Sequence, residues 1–348
     1  MIRNDIKQLA AYHVPDASGL IKLDAMENPY SLPDALRDEW ANHIRNVNIN
    51  RYPDAEMSEL RHAIADRDGL QADQVLLGNG SDEIIQMALI AADQGACVIP
   101  QPTFVMYEII SRWLKRPVAS VPLEKDFSLN ADAFLRVCSR EKAAIAFLAC
   151  PNNPTGNMWP RDTIRQIADN FRGLLIIDEA YNPFADESYT DMIAPHVIVL
   201  RTYSKLGMAG LRLGYALGHP DTIAQLNKVR LPYNISSPGQ ASARFFLEHF
   251  DVFEEQAKKI RSNRGRMLAA MMSMDNIEVF PSQTNFILLR VPNADATFEA
   301  LKQRGILVKN LHAAGGLLQN CLRVTIGMPE ENIQFIASLK EIIGETSS

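Results

Sequence analysis

Long apolar runs are missing from this 348-residue chain, and no stretch approaches the roughly 18 residues needed to span a bilayer. The opening MIRNDIKQLA also lacks the apolar core of an export signal. Cysteine is scarce. The four are Cys97, Cys138, Cys150 and Cys321, none in a CxxC pair and three inside apolar runs (GACVIP, AIAFLAC, NCLRVTI). Buried, reduced thiols of a cytoplasmic protein are the expectation. The seven histidines show no HExxH or comparable spacing, so no metal site is expected. Positive charge is not in excess: 35 Lys+Arg face 41 Asp+Glu, a net charge of −6. Nucleic acid and anionic membrane surfaces are therefore poor partners. With 47% hydrophobic and 22% charged residues, the composition excludes a disordered chain, a collagen-like repeat and a disulfide-stapled miniprotein.

What is present is alternation. Glu56–Asp68 reads as an amphipathic helix and VLLGNG as a short buried strand. A helix over Ser81–Ala92 follows, with Ser81 or Asp82 near its cap. ACVIP, AAIAFLAC, LLIID and HVIVL read as further strands, the last two as strands buried on both faces. Helical stretches such as Arg161–Asn170 lie between them. The pattern predicts an α/β fold, a mostly parallel central sheet with helices on both faces. After about residue 230 the pattern changes. LPYNISSPGQ breaks it, one long helix is expected from about Gly239 through FEEQAKKIRSNRGRM, and strand candidates NIEVF, NFILLRV and LRVTIG follow. Helices over Ala294–Arg304 and Glu330–Ile343 complete the expectation. This suits a smaller α+β domain. The expected organisation is an N-terminal segment over 1–30 without clear period, a large domain over 31–235 and a small one over 236–348.

In open parallel sheets, ligands bind beyond the carboxyl ends of the strands. The residues following the expected strands are Gly78-Asn79-Gly80-Ser81-Asp82-Glu83, Pro151-Asn152-Asn153-Pro154-Thr155-Gly156, Asp178-Glu179-Ala180-Tyr181 and Arg201-Thr202-Tyr203-Ser204-Lys205. Polar and reactive groups thus converge on one edge. The glycine turn is not a dinucleotide fingerprint, because Glu83 stands where its third glycine belongs, and there is no GxxxxGK[ST] loop. It is either a plain helix cap or a site for one phosphate. Asp178 caps the next segment or partners a protonated ring nitrogen, a buried carboxylate being costly otherwise. Lys205 is a solvated surface lysine or a desolvated nucleophile. A phosphate site, a ring-nitrogen partner and a reactive lysine together are what pyridoxal phosphate requires.

PNNPTG, DEAY, TxSK and GLRLGY, in this order and spacing, resemble the fold-type-I aminotransferases of the aspartate aminotransferase superfamily. The resemblance covers nearly the whole chain. It implies that Lys205 bonds pyridoxal phosphate covalently and shuttles the proton. It implies further that Asp178 pairs with the pyridine nitrogen, and that Asn153 and Tyr181 hydrogen-bond the ring hydroxyl. Gly80, Ser81, Asp82, Thr202, Ser204 and Arg212 are implied around the phosphate, and Phe104 against the ring. Arg323 is implied to hold a substrate α-carboxylate bidentately. LDAMENPY, NRYPD, LPYNIS and NCLRVTIGMPEEN resemble the histidinol-phosphate aminotransferase branch. That branch implies a homodimer in which Tyr52 reaches the neighbour's cofactor phosphate, although Tyr52-Pro53-Asp54 is also an ordinary turn. Asn28 and Tyr30, in the first of these segments, are expected to contact substrate. Histidinol phosphate has no α-carboxylate, so with it Arg323 is expected to meet the phosphate beside Lys309. The branch usually has arginine at that position; lysine keeps the charge but loses the planar fork. The neighbouring LHAAGGLLQN loop is apolar. An aromatic aminotransferase or a threonine-phosphate decarboxylase on the same scaffold is the alternative, and a non-catalytic cofactor-binding regulator a further one.

Overall fold

The computed structural model describes residues 1–9, 11 and 15–346. Twelve strands are found among them: β1 Ile21–Leu23, β2 Val75–Asn79, β3 Ala96–Gln101, β4 Val118–Pro122, β5 Ala143–Ala149, β6 Leu174–Asp178, β7 Val197–Thr202, β8 Leu213–Leu217, β9 Glu278–Val279, β10 Phe286–Arg290, β11 Ile306–Asn310 and β12 Cys321–Thr325. β2 to β8 make one sheet in the order β2-β8-β7-β6-β5-β3-β4. All its strands run parallel except β8, which is antiparallel to both β2 and β7. Period-two alternation divides its side chains between two cores. Ala146, Leu148, Leu175, Ile177, Val197 and Val199 face one, while Ile145, Phe147, Ile176, Ile198 and Leu200 face the other. Burial on both faces explains why these strands are continuously apolar.

The second sheet has the order β1-β11-β12-β10-β9, antiparallel except for the β1–β11 pair. The N-terminal segment therefore belongs partly to this sheet, with Ile21 paired to Ile306. The expected long helix is two: Ser237–Glu248 and Phe250–Met272, broken at His249, whose backbone (φ −114, ψ 31) leaves the helical region. Helix Asp34–Arg45 packs on the first of them, where Trp40 Nε1 donates to Ser242 Oγ at 2.9 Å. The helix expected from Glu56 begins at Ser58, and Gly80, not Ser81, caps helix Ser81–Ala91. All four cysteines are buried and unbridged. Among the described residues no helix is long and apolar enough to cross a membrane.

Candidate active site

One cavity of about 100 Å³ gathers the residues that follow the strands. Ser81, Asp82, Phe104, Asn153, Asp178, Tyr181, Thr202, Ser204, Lys205 and Arg212 all line it. A larger cavity, about 960 Å³, lies at the opposite ends of the same strands, around Ala143, Leu174 and His196. Volume therefore does not select the site. Convergent chemistry beyond the carboxyl ends of the strands does.

β6 delivers Asp178, which is 3% exposed. Its Oδ2 accepts the Tyr107 hydroxyl at 2.6 Å and its Oδ1 accepts Ala180 N–H at 2.9 Å. Both donors are neutral, and burial pushes the carboxyl up to about 6. A carboxylate in this position calls for a cation. β7 leads into the single 3₁₀ turn Ser204–Leu206, with Lys205 at its centre. Burial, and after it the positive charge of Arg323, brings the Lys205 amine down to about 8. Its Nζ lies 5.8 Å from the centre of the Tyr181 ring. The lysine thus holds its proton far less tightly than an ordinary amine, which brings the neutral form that a nucleophile or proton acceptor needs within reach just above physiological pH.

A chain of side chains crosses from the large sheet to the small one. Arg323 Nη1 donates to Asn153 Oδ1 at 2.6 Å, and Asn153 Nδ2 donates to the Tyr181 hydroxyl at 3.0 Å. Arg323 Nη2 donates to Asp24 O at 3.0 Å. Phe104 stands edge-on to Tyr107, with ring centres 5.4 Å apart.

The glycine turn is a cradle. Gly80 has φ +76, and a Cβ there would lie 2.6 Å from Arg212 Nη2. A Cβ on Gly214 would lie 2.4 Å from Ser81 N. Only glycine lets β8 approach the start of helix Ser81–Ala91 so closely. Asp82 pairs with Arg212 at 3.7 Å, and its Oδ1 is shut off from water without a hydrogen-bond partner. Thr202 Oγ1 accepts Ser204 N–H at 3.1 Å, which folds their hydroxyls together. Glu83, in the place of the third glycine, braces the turn instead. Its Oε2 accepts Asn79 N–H at 2.6 Å and Asn234 Nδ2 at 2.7 Å.

Other expected residues stand apart. Tyr52 is 81% exposed and stacks on Tyr233 at 4.5 Å, outside the cavity. Asn28 and Tyr30 do not line it either; their side chains bond to the chain itself. Lys309, half-buried on β11, is the direct cross-strand partner of Arg323. Tyr107 and Met26, whose Sδ lies 3.4 Å from the Tyr181 hydroxyl, are additions that the sequence pattern does not indicate. Neither stands directly at the end of an expected strand. Only the three-residue step from Phe104 to Tyr107, less than one helical turn, could have suggested that Tyr107 turns inward.

A doubly covered, mostly parallel sheet with a buried aspartate, a desolvated lysine and a glycine turn beside Arg212 at its carboxyl edge has the layout of an α/β group-transfer enzyme. The chain belongs to the class I and II aminotransferases, whose family model matches residues 18–338. It is 46% identical over 350 residues to a histidinol-phosphate aminotransferase of Methylibium petroleiphilum, covering 98% of this chain and 94% of that one. Its fold is similar to the histidinol-phosphate aminotransferase of Sinorhizobium meliloti solved in complex with pyridoxal-5'-phosphate (TM-score 0.86, 25% identity, 99% of this chain and 98% of that one). It also shares the fold of L-threonine-O-3-phosphate decarboxylase from Porphyromonas gingivalis (TM-score 0.78, 23% identity, 93% and 100%).

Proposed function

We propose that this aminotransferase moves an amino group between L-histidinol phosphate and 2-oxoglutarate, giving imidazole-acetol phosphate and glutamate, with pyridoxal phosphate as cofactor. The observation that carries this is Lys205 and Asp178 lining one cavity, the first tuned toward neutrality and the second, buried, held by the neutral Tyr107 hydroxyl and Ala180 N–H. The residues fit the cofactor. Asp178 would take the protonated ring nitrogen as its cationic partner. Asn153 and Tyr181 would hold the ring oxygen, Phe104 would cover the ring, and Lys205 would bond the aldehyde carbon. Ser81, Asp82, Thr202, Ser204 and Arg212, with the free N–H groups of the helix start beyond Gly80, hold the phosphate.

When bound, pyridoxal phosphate supplies an aldehyde carbon for the donor's amine and a ring that takes up electrons released at the donor's Cα. The chain does the rest. Lys205 Nζ, as a neutral amine, takes the Cα proton and returns a proton on the cofactor side. Asp178 keeps the ring nitrogen protonated, and Tyr107 keeps Asp178 oriented. Arg323 and Lys309 hold the donor's phosphate, and Arg323 the carboxylate of the keto acid. The 46% identity to a protein named for histidinol phosphate supports this choice of donor.

Two copies form the working unit. Tyr52 and Tyr233, 81% and 43% exposed, make a stacked apolar surface, flanked in sequence by the exposed Ile49 and Leu231. Such a surface suits a partner subunit, and Tyr52 does not line its own cavity. The four buried, unbridged thiols suit a reducing cytoplasm.

Profiling of amino donors with 2-oxoglutarate tests the reading. The kcat/KM for histidinol phosphate is expected to exceed that for phenylalanine by about a hundredfold, the scale of losing charged contacts to a substrate group. Preference for phenylalanine or threonine phosphate overturns it.

A further inference from the structure

Asn28 is spent on the protein itself. Its Nδ2 donates to Leu206 O at 2.8 Å and to Gln256 Oε1 at 2.9 Å, and its Oδ1 accepts Tyr30 N–H at 2.9 Å. An amide nitrogen has two hydrogens, and both have acceptors here. Gln256, 6% exposed on helix Phe250–Met272, donates its Nε2 to Ser31 O at 3.1 Å. Two side-chain amides therefore join three distant stretches: residues 28–31, the turn carrying Lys205, and the helix that follows the break at His249.

The turn needs this support. Ser204–Leu206 is one 3₁₀ turn, a form with poor internal hydrogen-bond geometry. Gly207 ends it with φ +113, and a Cβ there would sit 2.9 Å from Asn28 Nδ2. Glycine thus serves both the backbone angle and the approach of Asn28. The residue carrying the reactive amine is held between a hydroxyl pair on one side, Thr202 and Ser204, and the Asn28 clamp on the other.

We propose that Asn28 is a positioning residue for Lys205: by pinning the Leu206 carbonyl to Gln256, it fixes the place of the Lys205 amine and ties it to the helix and the N-terminal segment. This rests on the reading of Lys205 as the cofactor-bonding, proton-moving lysine.

The test uses holoenzyme of the wild type, Asn28→Ala and Gln256→Met. Loosening the turn admits water, which favours the protonated nitrogen. The pH midpoint of the bound cofactor's visible band is expected to rise by about one unit, tenfold in proton affinity. Turnover should fall about tenfold at saturating donor, with donor KM changed less than about twofold, as for a loss felt only in the reaction step. An unmoved midpoint with a raised donor KM would make Asn28 a substrate contact and overturn the proposal. An unmoved midpoint with only a lowered Tm would make it a purely structural residue and overturn it equally. Gln256→Met carries the same readout if Asn28→Ala does not fold, because it removes one of the two acceptors of Asn28. Borohydride fixation of the cofactor in the wild type separates the two claims. No fixation on Lys205 defeats the assignment of that lysine, whereas fixation with an unmoved midpoint defeats only the role of Asn28.

Discussion

Lys309 lies directly opposite Arg323 in the antiparallel ladder of β11 and β12. Directly opposed residues share a face of the sheet, and like charges there destabilise it. An anion between them removes that cost. Lys309→Ala is therefore expected to raise the KM for histidinol phosphate about tenfold, the loss of one charged hydrogen bond, and to leave phenylalanine almost unaffected. Steady-state kinetics on both donors decide it, and equal losses on both would refute a phosphate contact.

Lys205→Ala should bind pyridoxal phosphate without a borohydride-reducible bond, and turnover should fall by more than about 10³-fold, since base and nucleophile go together. Mass analysis after reduction shows which residue carries the cofactor.

The Lys205 amine titrates near 8 because burial and the nearby Arg323 disfavour its charge. Only the neutral amine can accept a proton. The proton-transfer rate should thus rise with pH through about 8 and flatten above, as read from kcat with Cα-deuterated donor. Arg323→Gln removes a repelling cation, so this limb should move upward.

Tyr107→Phe removes the hydroxyl donated to Asp178 at 2.6 Å. A hydrogen bond to a charged group is worth about 1.5–3 kcal/mol, so cofactor affinity and kcat should together drop about tenfold or more. Equilibrium dialysis of the cofactor and steady-state kinetics measure the two parts.

Mixed dimers offer a further check. A Tyr52→Phe subunit paired with a Lys205→Ala subunit should regain one complete site and about half the activity of a wild-type dimer, if Tyr52 serves its neighbour. Proven heterodimers without rescue would exclude that contact.

Much of this is legible in the chain. The strands buried on both faces announce themselves through unbroken apolar runs, and β2, β3, β5, β6 and β7 lie where those runs predict. β4 and β8 escape the pattern for different reasons. β4 is a partly exposed edge strand that ends in Pro122, and β8 is overlaid by the glycine-rich motif that positions Arg212. β1 is only three residues long and owes its form to pairing with β11, which itself lies between β1 and β12, and no local pattern encodes such pairing. The lining of the cavity is legible because strand ends are sequence-local. Tyr107 is not, since it reaches Asp178 from a neighbouring helix. Asn28 belongs to the right segment, but its partners, Leu206 and Gln256, are set by tertiary packing.

The reversal of β8 has a thermodynamic consequence. Its first residue, Leu213, pairs with Asn79, the last of β2, so the two halves of the anion cradle come from segments far apart in the chain, joined by one ladder. A phosphate seated across that seam draws on the ladder being closed, and its binding energy becomes linked to global folding. Occupancy at about a hundred times the dissociation constant would add about 2.7 kcal/mol of stability. With its phosphate in the proposed place, the cofactor would in this sense also be a folding ligand.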